Sequence, residues 1–429
     1  MHKNSRGGRK WGEKGTNERG NTGKWVWKVK DTKEKGSSSN APNKGIPKED
    51  GDMMLTEQMS LMHLNSWKLP QDITFDIISR LSVKFVMRCR CVSKTWRAWL
   101  SNQHFINLHL IRAARDNDRS LLLTSSSSTS STKIKDGQEY PCIEFKFRVH
   151  LIESMHDLGM ENYSVPRFEV PFHIRAASCN GLLCSLVFSK KTALICNPFT
   201  GETLELSSPD VGYEISDMYI GFGYHPRTKE YKILCFAFVH PSKNSFKSLV
   251  EVQTLGSNLW RSKGEVPTNL FYQPFNVLVN GALHWLASFP CQSESVVISS
   301  FDIADEEFRV LQVPAVVDQW ENKQVQELDG FLSLVGYSSR GLIEVWIMKN
   351  YGAEDSWSKQ FIVSTQESVE TVHFMWKLED GTILIQYNGS FIAYDPNIDQ
   401  IRNLPVQAPP RIMHCVAHVG SLLSPRMEL

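Results

Sequence analysis

The residues that could do chemistry are few and stand apart from one another. His284 could act as a base or a metal ligand, and the neighbouring carboxylates Glu306 and Glu307 could form an acid–base pair. An alternating strand, however, places one residue of each adjacent pair inside the sheet, so either His284 or Trp285 faces inward. We therefore expect His284 to have a packing role, and we expect the two glutamates to lie in a solvated turn.

The sequence lacks known active-site motifs at positions where the predicted helices and strands would support them. It contains no Gly-x-Ser-x-Gly elbow, Walker loop, His-Glu-x-x-His motif or dinucleotide-binding fingerprint in such a context. Gly221-Phe222-Gly223 is not followed by a helix pattern and is interpreted as a strand–turn feature. The nine cysteines lack Cys-x-x-Cys spacing, which indicates core thiols in a reducing compartment. We predict no catalytic residues, no cofactor and no metal.

The length, composition and net charge limit the classes of protein to which this chain could belong. The chain has 429 residues, 41% of them hydrophobic, and a formal net charge of +1, enough for one large domain and a small one. A charge near zero gives no general attraction to nucleic acid or membrane. The sequence has no run of eighteen apolar residues and no apolar leader segment at its N-terminus. We expect a soluble intracellular protein of the cytoplasm and/or nucleus that binds neither nucleic acid nor membrane.

Residues 1–62 form a basic extension that we expect to be disordered. Residues 1–50 carry thirteen Lys or Arg against six Asp or Glu, which gives a net charge of about +7. One interpretation is a nuclear signal or a weak nucleic-acid-binding tail. The other is a solvated extension, or a start codon assigned too early with Met53, Met54, Met59 or Met62 as the true start. The basic residues are dispersed, which favours the second interpretation.

Residues 69–110 read as three or four short helices. Pro70 suits a first helical turn, and Ser93 can cap a later helix. Apolar residues recur every fourth position in the first helix: Ile73, Ile77 and Leu81. The segment holds more large apolar side chains than it can bury alone, so it needs a partner. An ordinary helical bundle in a larger core is the alternative.

This stretch resembles the F-box. The matching phrases are Leu69-Pro70, Asp72-Ile73, Arg80-Leu81, Val83-Lys84 and the run from Arg88 to Trp96. Ser82 replaces the usual proline and Phe85 replaces a small polar residue, although Ser82 can still cap a helix. The resemblance implies docking on the SKP-type adaptor of a cullin–RING ubiquitin ligase. The adaptor-binding residues that it implies are Leu69, Pro70, Ile73, Ile78, Leu81, Val83, Val92 and Trp96.

The remainder of the chain reads as an all-β domain with an internal repeat. Asn-Gly or Asp-Gly turns precede apolar strands, and the glycines at 281, 330 and 381 fall 49 and 51 residues apart. About four strands per fifty residues are typical of a kelch-type propeller blade, and we predict about six blades. Residues 143–149 alternate as a half-buried strand. Thr124–Thr132 is only Ser and Thr, and we expect a flexible loop there, either a phosphorylation target or a tolerated insertion.

Residues 175–400 resemble the F-box-associated domain of plant F-box proteins. The sequence segments that match this family include Ser178-Cys179-Asn180-Gly181, Asn197-Pro198-Phe199-Thr200-Gly201 and Asn280-Gly281-Ala282-Leu283-His284-Trp285. The expected fold is multidomain, α plus β. It has an F-box at 63–112, a kelch-like propeller at 118–406 and a C-terminal tail at 407–429. In that family the F-box holds the ligase and the β domain selects a target protein.

We therefore predict a non-catalytic substrate-recognition subunit of an SCF-type E3 ubiquitin ligase. Its partners would be the SKP-type adaptor, through it the cullin and RING subunits, and an unknown target, bound by unknown residues. Trp346, Trp357 and Trp376 are candidates for the core or for turn packing, and one or two could line the target-binding face. One alternative is a propeller scaffold uncoupled from the ligase, hinted at by Ser82 and Phe85. Another is an oxidase or lectin-like propeller, which would need metal or glycan binding.

Overall fold

The computed structural model describes most of the chain from residue 69 onward. The described ranges are 69–115, 119–135, 138–152, 168–170, 177–187, 192–242, 245–270, 277–289, 292–378, 380–404 and 412–426. The predicted basic extension at 1–62 lies outside them.

Four short helices open the described chain: α1 (Gln71–Ile78), α2 (Val83–Cys89), α3 (Lys94–Leu100) and α4 (Gln103–Arg115). Pro70 occupies the N-cap position of α1, and Asp72 lies in the first turn, where a carboxylate is favourable. The Ser93 hydroxyl accepts a hydrogen bond from the backbone N–H of Trp96 at 3.1 Å, which confirms the predicted cap of α3. Ser82 stands at the N-cap of α2, but its side chain makes no cap hydrogen bond.

The helices share a small core of their own. Phe75 on α1 packs edge-on against Phe105 on α4, with ring centroids 5.2 Å apart. Arg112 on α4 makes an ion pair with Asp76 on α1. Its hydrogen bond is the main reason why the pKa of Asp76 lies below its usual value. The other buried apolar members are Ile78, Val83, Val86, Cys89, Leu100, Ile106 and Ala113. This core joins the first helix to the last.

Six antiparallel sheets follow, which confirms the predicted propeller of about six blades. Blade 1 contains β1 (Arg119–Lys135), β2 (Gln138–Ile152), β3 (Phe168–Val170) and the last strand, β25 (Ile412–Val419). Blade 2 contains β4 (Ala177–Cys179), β5 (Leu182–Val187), β6 (Thr192–Cys196) and β7 (Thr203–Glu205). Blade 3 contains β8 (Ile215–His225), β9 (Glu230–Ser242), β10 (Ser245–Thr254) and β11 (Arg261–Glu265).

Blade 4 contains β12 (Asn269–Leu270), β13 (Val277–Val279), β14 (Ala282–Phe289), β15 (Gln292–Asp302) and β16 (Phe308–Gln312). Blade 5 contains β17 (Asn322–Leu328), β18 (Phe331–Tyr337), β19 (Leu342–Met348) and β20 (Trp357–Ser364). Blade 6 contains β21 (Val372–Lys377), β22 (Ile383–Tyr387), β23 (Ser390–Asp395) and β24 (Gln400–Leu404). Short 3-10 helices at Ala315–Gln319 and Glu354–Ser356 lie in the connections around blade 5.

The blades form a closed ring. Each of β4, β8, β14, β17, β21 and β25 contacts the next one around the circle, and β25 contacts β4. Closure joins the two ends of the domain, because β25 pairs with β1 through partners such as Leu121 and Ala417. The predicted end of the propeller at residue 406 is therefore wrong. Residues 412–419 are its closing strand rather than a tail, since they supply the inner edge that β1 needs.

The segment after β25 is also fastened to the propeller. The side-chain amide of Asn197 donates hydrogen bonds to the carbonyl oxygens of Ser421 and Leu423 at 2.9 and 2.8 Å. The Arg426 guanidinium donates to the carbonyl oxygen of Thr203 at 2.9 Å. Gly181, at φ 79°, lies directly beneath this segment, and a Cβ there would collide with Ser421. The Asn-Gly turn therefore serves both the hairpin and the anchoring of the C-terminal segment.

One predicted loop is a strand. Thr124–Thr132 lies within β1 and pairs residue by residue with β2, from Thr124 with Val149 to Thr132 with Pro141. The prediction of a flexible loop is wrong because it considered only what Ser and Thr can bury. A strand is also held by backbone hydrogen bonds, and β2 supplies them. The alternating residues 143–149 lie in β2, as predicted.

Hydrophobic clusters between adjacent blades hold the ring together. Trp285 on β14 is completely buried, and its ring centroid lies 5.0 Å from that of Phe236 on β9. Similar clusters join blades 2 and 3, blades 4 and 5, and blades 5 and 6. Blades 2 to 6 therefore bury apolar surface against one another.

Candidate functional site

The outward surface of α1 is apolar. Leu69 is 42% exposed, Ile73 is 47% exposed and Ile77 is 38% exposed. Ile73 and Ile77 are four residues apart on one side of α1, and Leu69 lies four residues before Ile73, just ahead of the N-cap Pro70. Phe75 and Ile78 turn into the core. We call Leu69, Ile73 and Ile77 the apolar stripe. Exposed apolar residues in a row on a small domain are typical of a protein interaction site.

The structure sorts the eight predicted adaptor-binding residues into three groups. The exposed ones are Leu69, Pro70, Ile73 and Val92, the partly exposed ones are Leu81 and Trp96, and the buried ones are Ile78 and Val83. Leu69, Pro70 and Ile73 come together around the start of α1, whereas Val92 and Trp96 lie around the start of α3. Sequence reasoning left Ile77 out of this set, although its spacing of four residues from Ile73 was the available signal.

The two positions that depart from the F-box pattern lie at the start of α2. Ser82 is exposed, and Phe85 is partly buried with the Arg88 guanidinium 5.3 Å from its ring centroid. A cation over an aromatic ring is a favourable contact. Phe85 therefore has a partner within its own helix.

The helices touch the propeller directly at the end where β25 finishes. Gly420 is flanked by Val83 of α2 and Phe199 of blade 2, which would lie 3.0 and 3.3 Å from a Cβ at that position. Arg90 donates to the carbonyl oxygen of Leu100 at 2.6 Å. Burial lowers the pKa of Arg90, and the nearby Glu202 carboxylate of blade 2 opposes that shift. Val83 thus lies at the junction between the helices and the propeller.

The strand directions assign each connection to one end of the propeller. The turns at 180–181, 280–281 and 329–330 lie at the same end as Gly420, the helix-proximal end. The connections at 208–214, 313–321, 338–341 and 365–371 lead to the opposite end. The two ends of the ring are therefore distinct surfaces, one of them occupied by the helices.

His284 is a core histidine, as predicted. It is 0% exposed, and its Nε2 lies 2.8 Å from the Tyr351 hydroxyl while its Nδ1 lies 3.2 Å from the carbonyl oxygen of Val277. Burial lowers the pKa of His284 to about 4, so the ring is neutral near pH 7. The histidine links blade 4 to the connection that carries Tyr351.

Glu306 and Glu307 lie in the turn between β15 and β16 and Glu307 is exposed, as expected, but the prediction that Glu306 is solvated is wrong. Its side chain is 8% exposed and its carboxylate lies 2.8, 2.6 and 2.8 Å from the cationic groups of Lys232, Arg261 and Lys263. Burial alone would raise the pKa of Glu306, but hydrogen bonds from Lys232 and Lys263 lower it to about 2. The cations come from blade 3 and the glutamate from blade 4, so this ion cluster joins two blades.

The three tryptophans singled out in the sequence differ in exposure. Trp357 and Trp376 are buried, and Trp346 is partly buried with the Lys359 ammonium 5.7 Å from its ring. The described cysteines Cys179, Cys184, Cys196, Cys235 and Cys415 are buried free thiols. Burial raises the pKa of the Cys179 and Cys196 thiols to about 12. These thiols therefore lack the lowered pKa of a reactive cysteine.

Two further features concern only the described part of the chain. Its helices include none that is long and apolar enough to cross a bilayer. Its His, Cys, Asp and Glu side chains form no group of three or more that could hold a metal ion.

Comparison with known proteins identifies both parts of the chain. Residues 67–108 match the F-box domain, and residues 111–410 match the F-box associated beta propeller domain. F-box protein At3g07870 of Arabidopsis thaliana is 28% identical over 410 residues, covering 82% of this chain and 91% of the relative. F-box protein CPR1 of the same plant is 26% identical over 385 residues, covering 83% and 88%. The matched propeller model spans more than half of the chain, so this protein belongs to the plant family of F-box proteins with an F-box-associated β-propeller.

Proposed function

We propose that this protein is the substrate-recognition subunit of an SCF-type E3 ubiquitin ligase. The main observation that supports this proposal is the apolar stripe, which is exposed on the matched F-box segment at one end of the propeller. A stripe of this kind is favoured only if another protein covers it, and the F-box match supports an SKP-type adaptor as that protein. The chain itself would be a non-catalytic subunit.

In this proposal some of the predicted docking residues contact the adaptor, and the others stabilise or position the helices. Leu69, Pro70, Ile73 and Val92 contact the adaptor, together with Leu81, Trp96 and the added Ile77. Ile78 and Val83 act from inside, where Ile78 stabilises the helices and Val83 positions them against the propeller. Because α2 touches Gly420, the orientation of the F-box relative to the ring is restricted, and so is the orientation of the ring relative to the ligase.

The target would bind the propeller end that lies opposite the F-box. The F-box helices contact the proximal end, whereas the connections at 208–214, 313–321, 338–341 and 365–371 lie at the distal end. Loops held on a rigid scaffold are the usual carriers of recognition. A target bound there is kept at a high effective concentration near the ligase.

The decisive experiment measures the affinity of the full chain for a purified SKP-type adaptor. We expect the double variant Leu69→Ala/Pro70→Ala to weaken binding at least tenfold, since about 1.4 kcal/mol corresponds to tenfold and two central contacts are removed. Leu259→Ala is the matched control, because Leu259 is an exposed leucine of the propeller, remote from the helices in sequence. Circular dichroism would show that each variant remains folded. An unchanged adaptor affinity in the double variant contradicts the proposal.

A scaffold uncoupled from the ligase is the second candidate. Ser82 favours it, because it replaces the proline of the F-box pattern and its side chain makes no compensating cap hydrogen bond to α2. Failure of the folded wild-type chain to bind the adaptor, with binding restored by Ser82→Pro and Phe85→Ser, would support this candidate.

A further inference from the structure

A cavity of about 290 Å³ lies at the centre of the ring, away from the apolar stripe. Its walls come from the innermost strands of five blades: β4, β13, β17, β21 and β25. Small-molecule sites have volumes of roughly 300–1,000 Å³, so this cavity is suited to a ligand with a single ring.

One wall of the cavity carries an amide with unused hydrogen-bonding capacity. Gln324 on β17 lines the cavity, and its Nε2 has no hydrogen-bond partner among the described residues. Gln326 lies two residues further along the same strand and also lines the cavity. An amide turns easily about its last side-chain bond, so Gln324 can present its donor to a ligand. Such a donor requires an acceptor on the ligand.

The charged groups of the walls disfavour an anion. Glu327 and Asp329 are among the residues that line the cavity, whereas the described lining residues include neither Lys nor Arg. Asp329 is paired at the mouth with the Lys377 ammonium at 2.6 Å, and Glu327 accepts a hydrogen bond from the backbone N–H of Gly330 at 2.6 Å. A phosphate or carboxylate ligand would meet like charge on one side and find no lining cation on the other.

An aromatic and aliphatic wall completes the cavity. Trp376 on β21 lines it, and Val416 and Val419 of β25 contribute apolar surface. Pockets that combine an aromatic ring, aliphatic side chains and a few convergent polar groups are suited to ligands with one apolar face and several polar groups. A hydroxyl group can accept a hydrogen bond from an amide N–H and donate one to an amide oxygen, whereas an ammonium group can only donate.

We propose that the central cavity binds a neutral, hydroxyl-bearing ring ligand of about the size of one sugar residue. Gln324 donates to a ligand hydroxyl, Gln326 on the same face of β17 accepts from another, and the apolar wall covers one face of the ring. The site shares no residue with the F-box, so it goes beyond adaptor docking and does not depend on it.

Saturation-transfer difference NMR on the full chain tests the proposal directly. The probes are the methyl glycosides of glucose, galactose, mannose and N-acetylglucosamine, with glucuronate and ethanolamine as the anionic and cationic comparisons. We expect saturation transfer to at least one neutral glycoside and none to glucuronate. Gln324→Leu should weaken that binding at least fivefold, as judged by ligand titration.

Gln386→Leu is the matched control. Gln386 is completely buried in blade 6, and neither of its amide atoms has a partner among the described residues, yet it does not line the cavity. This variant should bind like the wild type. Gln326→Leu provides a second cavity variant at a partly exposed position, with a weaker loss expected, should Gln324→Leu fail to fold.

Three outcomes would overturn the proposal. They are the absence of transfer to every neutral glycoside, equal binding by the folded cavity variants, and stronger binding of ethanolamine than of any glycoside. The last outcome would assign the cavity to small cations.

Discussion

The F-box helices and the propeller handle apolar surface in opposite ways. In the propeller, residues such as Trp285 and Phe236 are buried between blades, and blades 2 to 6 cover one another's apolar surface. In α1, Ile73 remains 47% exposed although it belongs to a helix with its own core. The contrast separates residues that stabilise the chain from residues available to a partner. Substitutions in the two regions should therefore affect different measurements.

The largest effect should come from removing a side chain that joins two blades. Trp285→Ala should lower the free energy of unfolding by about 3–5 kcal/mol, because it leaves a cavity between blades 3 and 4. Ile73→Ala should change that free energy by less than about 1 kcal/mol, because half of its surface is already in water. Urea denaturation of both variants measures the contrast. Equal destabilisation would show that α1 uses Ile73 to fold.

A smaller effect should come from the ion cluster between the same blades. Glu306 has a pKa lowered from 4.5 to about 2, so its carboxylate stabilises the folded state above pH 4.5, and this stabilisation is lost as the pH falls through 4.5 toward 2. Glu306→Gln should cost about 1–3 kcal/mol at pH 7, a figure reduced because Arg261 is half exposed and solvent screens it.

The pH dependence provides the control for that prediction. Between pH 5 and 3 the wild type should lose more stability than Glu306→Gln, because the variant no longer has this carboxylate to protonate. Glu307→Gln is the matched variant at the adjacent exposed position and should behave like the wild type. Parallel curves for wild type and Glu306→Gln would contradict the assigned role.

The smallest effect should come from the start of α2. Ser82 has φ −61°, which proline adopts without strain, so Ser82→Pro should stabilise the folded state by about 0.4–1 kcal/mol. Thermal unfolding of Ser82→Pro measures the effect on stability, and its affinity for the adaptor measures the effect on binding. A stabilised variant with unchanged affinity would show that Ser82 affects folding alone. Loss of stability would mean that the backbone N–H of Ser82 has a needed partner.

The sequence predicts what depends on near neighbours along the chain. The spacing of Ile73 and Ile77, the cap at Ser93 and the Asn-Gly turns are all local, and the structure contains each of them. The closing strand was missed because its partner in β1 lies nearly three hundred residues earlier. The partners of Glu306 escaped notice for the same reason, since Lys232, Arg261 and Lys263 lie on another blade. The cavity is equally non-local, because five blades contribute to it.

Closure by β25 imposes an order on biosynthesis. The F-box helices precede the propeller in the chain, and β1, β2 and β3 of blade 1 precede the other five blades, whereas β25, the inner strand of blade 1, follows all of them. Until β25 is synthesised, β1 has an unpaired inner edge, and unpaired strand edges template aggregation. A chain truncated before residue 412 would therefore carry every F-box helix while its ring remained open. The ring can therefore close only after the strands of all six blades have been synthesised.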